Sequence, residues 1–132
     1  MPAPCASPRR PEAMDRRAAY LLGLDAEFWA EILLRLKGYR ILARRFLAAG
    51  AEIDLVAKRG GTLVFVEVKA RPTLDDALLT LTPQKLARIG RGARAFLAGM
   101  PAMPETIRCD AILIAPGALP RHIKGIGELA LD

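Results

Sequence analysis

Residues 51–70, AEIDLVAKRGGTLVFVEVKA, contain the strongest structural signals in this chain. Residues 62–70 are almost continuously apolar and rich in β-branched side chains, which is typical of a strand in the middle of a sheet, covered on both faces. Residues 51–58 alternate and predict a second strand with two distinct faces. One face would carry Ile53, Leu55 and Ala57, and the other Glu52, Asp54 and Val56. Gly60-Gly61 predicts a hairpin between the strands, because glycine readily adopts the positive φ of a tight turn.

Two helices and two further strands are predicted around this hairpin. Residues 24–37 have helical periodicity, with Asp25 as the N-cap and Gly38 as the stop, and an earlier start near Asp15 is the alternative. The apolar face of this helix is predicted to be Phe28, Trp29, Ile32, Leu33 and Leu36. Residues 39–46 predict a strand, 71–82 a loop, 83–98 a helix opened by proline, and 107–115 a buried strand. The second helix is predicted to bury Leu86, Ile89, Ala93, Phe96 and Leu97. This order of elements predicts an α/β sandwich with a mixed sheet.

The chain is expected to form one domain with two less ordered ends. Residues 1–14 are rich in Pro and Arg and predict a disordered tail. Residues 15–116 are predicted to form the folded domain, and residues 117–132 a loosely packed C-terminal extension. His122 falls in that extension and is predicted to lie at the surface.

Composition narrows the classes of function. The chain has 132 residues, with 20 Lys and Arg against 14 Asp and Glu, a net charge of +6. This excess favours an anionic partner, with nucleic acid as the first choice and an anionic membrane surface as the second, and an ordinary basic surface is the alternative. No run of 18 uncharged apolar residues occurs, so no membrane-spanning helix is expected. Cys5 and Cys109 lack the spacing of a metal site or a disulfide framework, which predicts a reducing, cytoplasmic setting.

Charged residues interrupt the most apolar strand. Glu67 and Lys69 are two positions apart, so both side chains leave the strand on one face, and pairing through the hairpin can bring Asp54 alongside Glu67. Two close carboxylates repel each other, and Mg²⁺ or Mn²⁺ would relieve that repulsion. Asp54 and Glu67 would hold the metal and Lys69 would stabilise the transition state of phosphodiester hydrolysis, with Glu52 as a possible outer ligand. The alternative is a neutralising ion-pair network without catalysis.

A basic stripe on the second helix is a candidate nucleic-acid-binding surface. Its members recur at every third position: Lys85, Arg88, Arg91 and Arg94. Such a stripe would contact phosphates in a salt-sensitive way, independent of base sequence. An ordinary solvated helix face is the alternative.

Residues 50–71, GAEIDLVAKRGGTLVFVEVKAR, closely resemble the signature of the YraN-like family of small bacterial proteins. That family resembles archaeal Holliday-junction resolvases and, more widely, the PD-(D/E)XK nuclease superfamily. The resemblance implies a restriction-endonuclease-like three-layer α/β sandwich with a central mixed β-sheet flanked by helices. It implies that Asp54, Glu67 and Lys69 occupy the superfamily's metal and lysine positions. It also makes Glu27 and Gln84 possible accessory residues, although a solvated charge is the alternative for Glu27.

Together, the residues and the resemblance predict a metal-dependent endonuclease for branched or structured DNA. A homodimer is expected, because resolution of a junction needs two nicks. A non-catalytic nucleic-acid-binding module and a structural adaptor that retain the fold are the alternatives, and RNA remains open as the nucleic acid.

Overall fold

A computed structural model describes residues 26–126 of the chain. Five strands form one sheet in the order β1 (Arg40–Ala48), β2 (Ala51–Arg59), β3 (Thr62–Ala70), β4 (Thr106–Ile114) and β5 (Arg121–Ile123). The helices of the described region are α1 (26–36), α2 (Leu74–Leu78) and α3 (Pro83–Ala98). Neighbouring strands are antiparallel except β3 and β4, which are parallel and joined through α2 and α3. No helix between residues 26 and 126 is long and apolar enough to cross a membrane. The tail predicted for residues 1–14 lies outside the described residues.

β3 lies at the centre of the sheet, and helices cover both of its faces. Val64 and Val66 pack with α1 around the fully buried Leu34. Leu63 and Phe65 point to the other face and pack with α3. The nearly continuous apolar run of β3 is therefore explained by burial on two sides. The predicted fold class is confirmed as a three-layer α/β sandwich with a central mixed sheet flanked by helices.

The buried face of α1 differs from the predicted one. The periodicity predicts an apolar face made of Phe28, Trp29, Ile32, Leu33 and Leu36. Of these, Leu33 packs on the core, whereas Trp29 is 50% exposed and Leu36 is 80% exposed. The residues buried from α1 are Ala26, Ala30 and Leu34. Small alanines let the helix approach the sheet closely, which leaves the larger side chains at its flanks. The helix is confirmed over residues 26–36, and its predicted N-cap, Asp25, lies outside the described residues. The predicted buried face is wrong, although Leu33 does pack on the core.

A short helix occupies part of the segment predicted to be a loop. α2 begins after Thr73, whose hydroxyl oxygen accepts a hydrogen bond from the backbone N–H of Asp76. Ala77 of this helix is fully buried beside Ala111 of β4. The cap and the two carboxylates that follow it, Asp75 and Asp76, form a helix-start signal in the sequence, and the loop prediction missed it.

The C-terminal part of the described region joins the sheet. A loosely packed extension is predicted over residues 117–132, yet β5 pairs with β4. The side chain of His122, predicted at the surface, is only 2% exposed, because its ring bonds to the buried carboxylate of Asp110. The surface prediction for His122 is therefore wrong. Residues 127–132 lie outside the described residues.

β2 changes the face that it presents at Asp54. Ile53 packs with α3, whereas Leu55 packs with α1 on the other side of the sheet, so the predicted shared face is wrong. Pairing of β2 with β3 ends at Leu55 and Val66. Across from Asp54 on β1, Arg45 has a positive φ of 51°. These irregularities let the strand turn, and they place Asp54 where β2 and β3 separate.

The turn between β1 and β2 contains a residue in an unfavourable conformation. Ala49 and Gly50 both have positive φ, 55° and 74°, as a type I′ turn requires. Asparagine tolerates this region better than alanine, so we expect Ala49→Asn to raise the free energy of unfolding by about 0.5–1 kcal/mol. Urea unfolding measures the change, and Ala48→Asn, within β1, is the control that should give no gain. A loss of stability in Ala49→Asn would contradict this account of the turn.

Candidate functional site

An open cleft of about 570 Å³ lies between the β1–β2 hairpin, the C-terminal half of β3 and the start of α3. It brings together carboxylates and cations from elements that are distant in the sequence. The residues that line it are Leu47, Ala48, Gly50, Ala51, Glu52, Asp54, Glu67, Lys69, Lys85, Arg88 and Ile89. The carboxylates predicted to act together therefore face one cleft rather than opposite sides of the sheet.

Asp54 is held by the backbone of β3. Its Oδ2 accepts a hydrogen bond of 2.8 Å from the N–H of Val68. Because the β2–β3 ladder ends at Leu55 and Val66, the carboxylate takes the place of a backbone acceptor here. The contact orients the carboxylate of Asp54 toward β3, the strand that carries Glu67.

Glu67 is a buried carboxylate with two ammonium neighbours. The Nζ of Lys69 lies 2.9 Å from its Oε2, and the Nζ of Lys85 lies 3.9 Å from the same oxygen. Glu67 and Lys69 leave β3 on one face, as their spacing predicts. Glu67 is only 6% exposed, and the two neighbouring cations offset the cost of burying its carboxyl group.

Lys85 reaches Glu67 because α3 packs closely on β2. The helix begins after Thr82, whose hydroxyl oxygen accepts a hydrogen bond from the N–H of Lys85. Two turns later, Gly92 lies against β2, where an added Cβ would come within 3.0 Å of the Cδ1 of Ile53. A side chain at that position would crowd Ile53 and Ala51 of β2. Glycine therefore permits the close packing of α3 on β2.

Burial, together with the neighbouring charge of Glu67, raises the pKa of Asp54 to about 7. The hydrogen bond from Val68 and the ammonium of Lys69 act in the opposite direction without cancelling the effect. On the other side of Glu67, the adjacent ammonium of Lys69 lowers the pKa of Lys85. An additional positive charge beside Asp54 would therefore stabilise its ionised form.

The carboxylates of Asp54 and Glu67 supply oxygen ligands of the type that a hard divalent cation prefers. Mg²⁺ is usually held in proteins by one or two carboxylates, with water and substrate phosphates as its other ligands. A cation between these side chains would relieve the repulsion that contributes to the raised pKa of Asp54. Within residues 26–126, no group of three or more His, Cys, Asp and Glu side chains is arranged to hold a metal. A metal in this cleft would thus depend on ligands from water or phosphate as well.

The accessory residues expected from the sequence occupy different places. Glu52 lines the cleft. Glu27 forms an ion pair of 3.2 Å with Arg45, and its charge adds to the field that raises the pKa of Asp54. Gln84 is exposed and is not one of the residues that line the cleft. The residue of α3 that approaches Glu67 is Lys85, the neighbour of Gln84.

The basic stripe on α3 does not form one continuous surface. Lys85 and Arg88 line the cleft, whereas Arg91 is exposed and Arg94 is partly buried. Residues at threefold spacing drift around a helix that has 3.6 residues per turn. Of the four cations, the first two are therefore positioned for a ligand in the cleft.

Sequence reasoning missed a second buried charge network. Asp110 of β4 is fully buried and accepts hydrogen bonds of 2.8 and 2.9 Å from Arg108. His122 Nε2 lies 2.8 Å from the same carboxylate, the N–H of Gly125 donates to it at 3.1 Å, and Arg108 also donates to the hydroxyl of Tyr39. A charge inside an apolar strand was the available signal, as it was for Glu67. This network lies on the α1 side of the sheet, opposite the cleft, and ties β5 to β4.

The raised pKa of Asp54 predicts an unusual pH dependence of stability in the metal-free protein. A carboxyl group whose pKa is higher in the folded state destabilises the fold as the pH rises from about 4 to about 7. Asp54→Asn keeps an acceptor for the Val68 N–H and cannot ionise. We expect this variant to be more stable than the parent by up to about 4 kcal/mol above pH 8, with a smaller difference at pH 4.5.

Urea unfolding in EDTA at several pH values measures this difference. The control is Glu52→Gln, an exposed carboxylate of the same cleft, which should not show the trend. A difference between Asp54→Asn and the parent that does not change with pH would contradict the assignment.

The fold and the cleft define a class of small three-layer α/β proteins in which two carboxylates and a lysine meet where a hairpin opens. The chain belongs to the uncharacterised protein family UPF0102, whose model matches residues 26–114. This match confirms the resemblance to the YraN-like family.

Relatives of similar length share about half of their residues with this chain. A UPF0102 protein of Methylorubrum extorquens is 53% identical over 115 residues, which cover 86% of this chain and 90% of the relative. A UPF0102 protein of Methylocella silvestris is 51% identical over 119 residues, 89% and 96% of the two chains. One from a Bradyrhizobium strain is 48% identical over 123 residues, 92% and 87% of the two chains.

Proposed function

We propose that this protein is a divalent-metal-dependent endonuclease that hydrolyses phosphodiester bonds of branched or otherwise structured DNA. The observation that carries the proposal is the convergence of Asp54, Glu67 and Lys69 in one cleft that is flanked by Lys85 and Arg88. Carboxylates for a metal beside cations for phosphate are the groups that phosphodiester hydrolysis needs.

Four residues of the cleft would have distinct roles in this reaction. Asp54 and Glu67 would hold Mg²⁺ or Mn²⁺, and the chemistry that the metal would supply when bound is Lewis acidity toward the scissile phosphate. Lys69, fixed at 2.9 Å from Glu67, stabilises the extra negative charge that the phosphate gains as water attacks. Arg88 at the cleft contacts a neighbouring phosphate and positions the strand.

The expected substrate follows from the shape and charge of the cleft. The cleft is open and lined by the cations Lys69, Lys85 and Arg88, and aliphatic residues such as Leu47, Ala48 and Ala51 form its apolar wall. Recognition would therefore rely on phosphates and on the shape of the nucleic acid rather than on base edges. Paired nicks at a junction need two sites, so we expect the active form to be a homodimer.

Cleavage assays with metal titration test this function. Purified protein is incubated with Mg²⁺ or Mn²⁺ and labelled four-way junctions, flaps, linear duplexes and the corresponding RNAs, with Glu67→Ala and Lys69→Ala as matched variants. Metal-dependent cutting that both substitutions remove is the expected result. Cutting that survives both would identify a contaminant and overturn the proposal, and light scattering of the same samples tests the homodimer.

A non-catalytic nucleic-acid-binding module is the second candidate. It is favoured by the charge balance at Glu67, where Lys69 and Lys85 already compensate the buried carboxylate without a metal. Salt-dependent binding of DNA without cleavage at any metal concentration would support this candidate over the nuclease.

A further inference from the structure

Two ammonium groups converge on one carboxylate oxygen, and they differ in how firmly they are held. Lys69 lies at hydrogen-bond distance, 2.9 Å, from Glu67 Oε2 and its side chain is 15% exposed. Lys85 lies at 3.9 Å from the same oxygen and is 32% exposed. Lys69 is therefore a fixed partner of Glu67 within β3. Lys85 makes an ion pair with Glu67 without a hydrogen bond, from a flexible side chain at the edge of the cleft.

Equal numbers of carboxyl groups and basic side chains line the cleft of the metal-free protein. Three carboxylates, Glu52, Asp54 and Glu67, face three cations, Lys69, Lys85 and Arg88. A divalent cation at Asp54 and Glu67 would add two positive charges beside the lysines. Like charges at such distances repel strongly in a partly desolvated site, so the more weakly held ammonium would leave.

We propose that Lys85 is an exchangeable counter-ion that occupies the carboxylate cluster in the metal-free protein and moves to a substrate phosphate when the metal binds. The inference rests on the metal site of the proposed function and adds to it a competition between Lys85 and the metal. A phosphate in the cleft would draw Lys85 away from Glu67. The metal and the nucleic acid therefore favour each other's binding, and by thermodynamic reciprocity each does so by the same factor.

This role makes a prediction that an ordinary structural role would not. Removing the charge with Lys85→Met should tighten Mn²⁺ binding about tenfold in the absence of nucleic acid, because the competing charge is gone. Loss of a merely supporting side chain would weaken metal binding or leave it unchanged. Lys85→Arg retains the positive charge and should bind Mn²⁺ nearly as the parent protein does.

The experiment is a Mn²⁺ titration measured by isothermal titration calorimetry at pH 8 and low salt. Arg88→Met is the matched control, because Arg88 lines the same cleft and, among residues 26–126, has no ion pair with Glu67 within 4.0 Å. It loses the same charge and should change Mn²⁺ affinity much less than Lys85→Met. Thermal melting in EDTA verifies that the variants are folded.

A second readout measures the coupling directly. Binding of a phosphorothioate DNA duplex, which resists hydrolysis, is followed by fluorescence anisotropy with and without Mn²⁺. The parent protein should bind the duplex about tenfold more tightly with the metal, and Lys85→Met should lose most of this gain.

The outcomes separate this inference from the proposed function. Metal-dependent cleavage by the parent, with equal Mn²⁺ affinity in the parent and in Lys85→Met, overturns the counter-ion role and leaves the nuclease intact. Absence of both cleavage and Mn²⁺ binding in the parent and in Lys85→Met overturns both. Tighter binding in Lys85→Met and not in Arg88→Met supports the exchange.

Discussion

Glu67→Gln should lower the rate of metal-dependent DNA cleavage by at least about 100-fold. Glutamine has nearly the same size as glutamate, but it is a much poorer ligand for a hard cation and provides no negative charge for Lys69. Glu67 is the carboxylate around which the cleft is organised, because Lys69 and Lys85 both approach its Oε2. The substitution therefore removes a metal ligand and releases two cations at once.

Single-turnover cleavage of a labelled junction at saturating Mg²⁺ measures this loss, together with Mn²⁺ affinity by calorimetry. Glu52→Gln is the matched control, since Glu52 lines the same cleft but is exposed and contacts neither lysine within 4.0 Å in the described part of the chain. It should reduce the rate by less than about tenfold. A fully active Glu67→Gln protein would contradict the assignment of Glu67 as a metal ligand.

Asp110→Ala should be among the most destabilising single substitutions in the described domain, with a loss of about 3–5 kcal/mol in the free energy of unfolding. The carboxylate is fully buried and accepts hydrogen bonds from Arg108 and from the N–H of Gly125. Alanine leaves these donors and the buried ring of His122 without their acceptor. Since His122 belongs to β5, the substitution should also loosen that strand from the sheet.

The pH dependence of this contribution has a defined sign. Although burial acts against it, the bonds from His122, Arg108 and Gly125 lower the pKa of Asp110 to about 2. A carboxyl group with a lowered folded-state pKa stabilises the fold at neutral pH and loses that stabilisation as the pH falls from about 4 to about 2. The parent should therefore lose about 2 kcal/mol across this range through Asp110 alone.

Urea unfolding of the parent and of Asp110→Ala between pH 2 and pH 7 measures both effects. The two proteins should approach each other in stability at the acidic end. Glu105→Ala removes an exposed carboxylate near the start of β4 and should change stability by less than about 0.5 kcal/mol. An equally small change in the free energy of unfolding of Asp110→Ala would contradict the stabilising role of the network around Asp110. Hydrogen exchange of the amides of β5 then reports whether the strand is released.

Local sequence patterns predicted the central elements of this fold. β3 was predicted at Thr62–Ala70 and α3 at Pro83–Ala98, because an apolar β-branched run and a Thr-Pro helix start are signals within a few neighbouring residues. The face of α1 could not be read in the same way. Its helix has large apolar residues on one side and alanines on the other, and the close approach to the sheet selected the alanines.

The candidate site was predictable in part for the same reason. Glu67 and Lys69 had to share a face because the side chains of a strand alternate, and the hairpin brought Asp54 near them. The role of Lys85 at Glu67 was not predictable, because it depends on the distance between α3 and β2 that Gly92 permits. The same holds for His122, whose partner Asp110 is 12 residues away in sequence.

Local sequence signals were sufficient for the hairpin, the buried central strand, the helix after it and the unusual charges within an apolar strand. These features depend on the alternation of side chains and on the preferences of residues close together in the chain. Packing between separate elements selected the buried side of α1. It also placed Asp54 where β2 and β3 separate and brought Lys69 and Lys85 to the same oxygen of Glu67. Those outcomes depend on packing distances between separate elements, and a distance between elements has no local signature in the sequence.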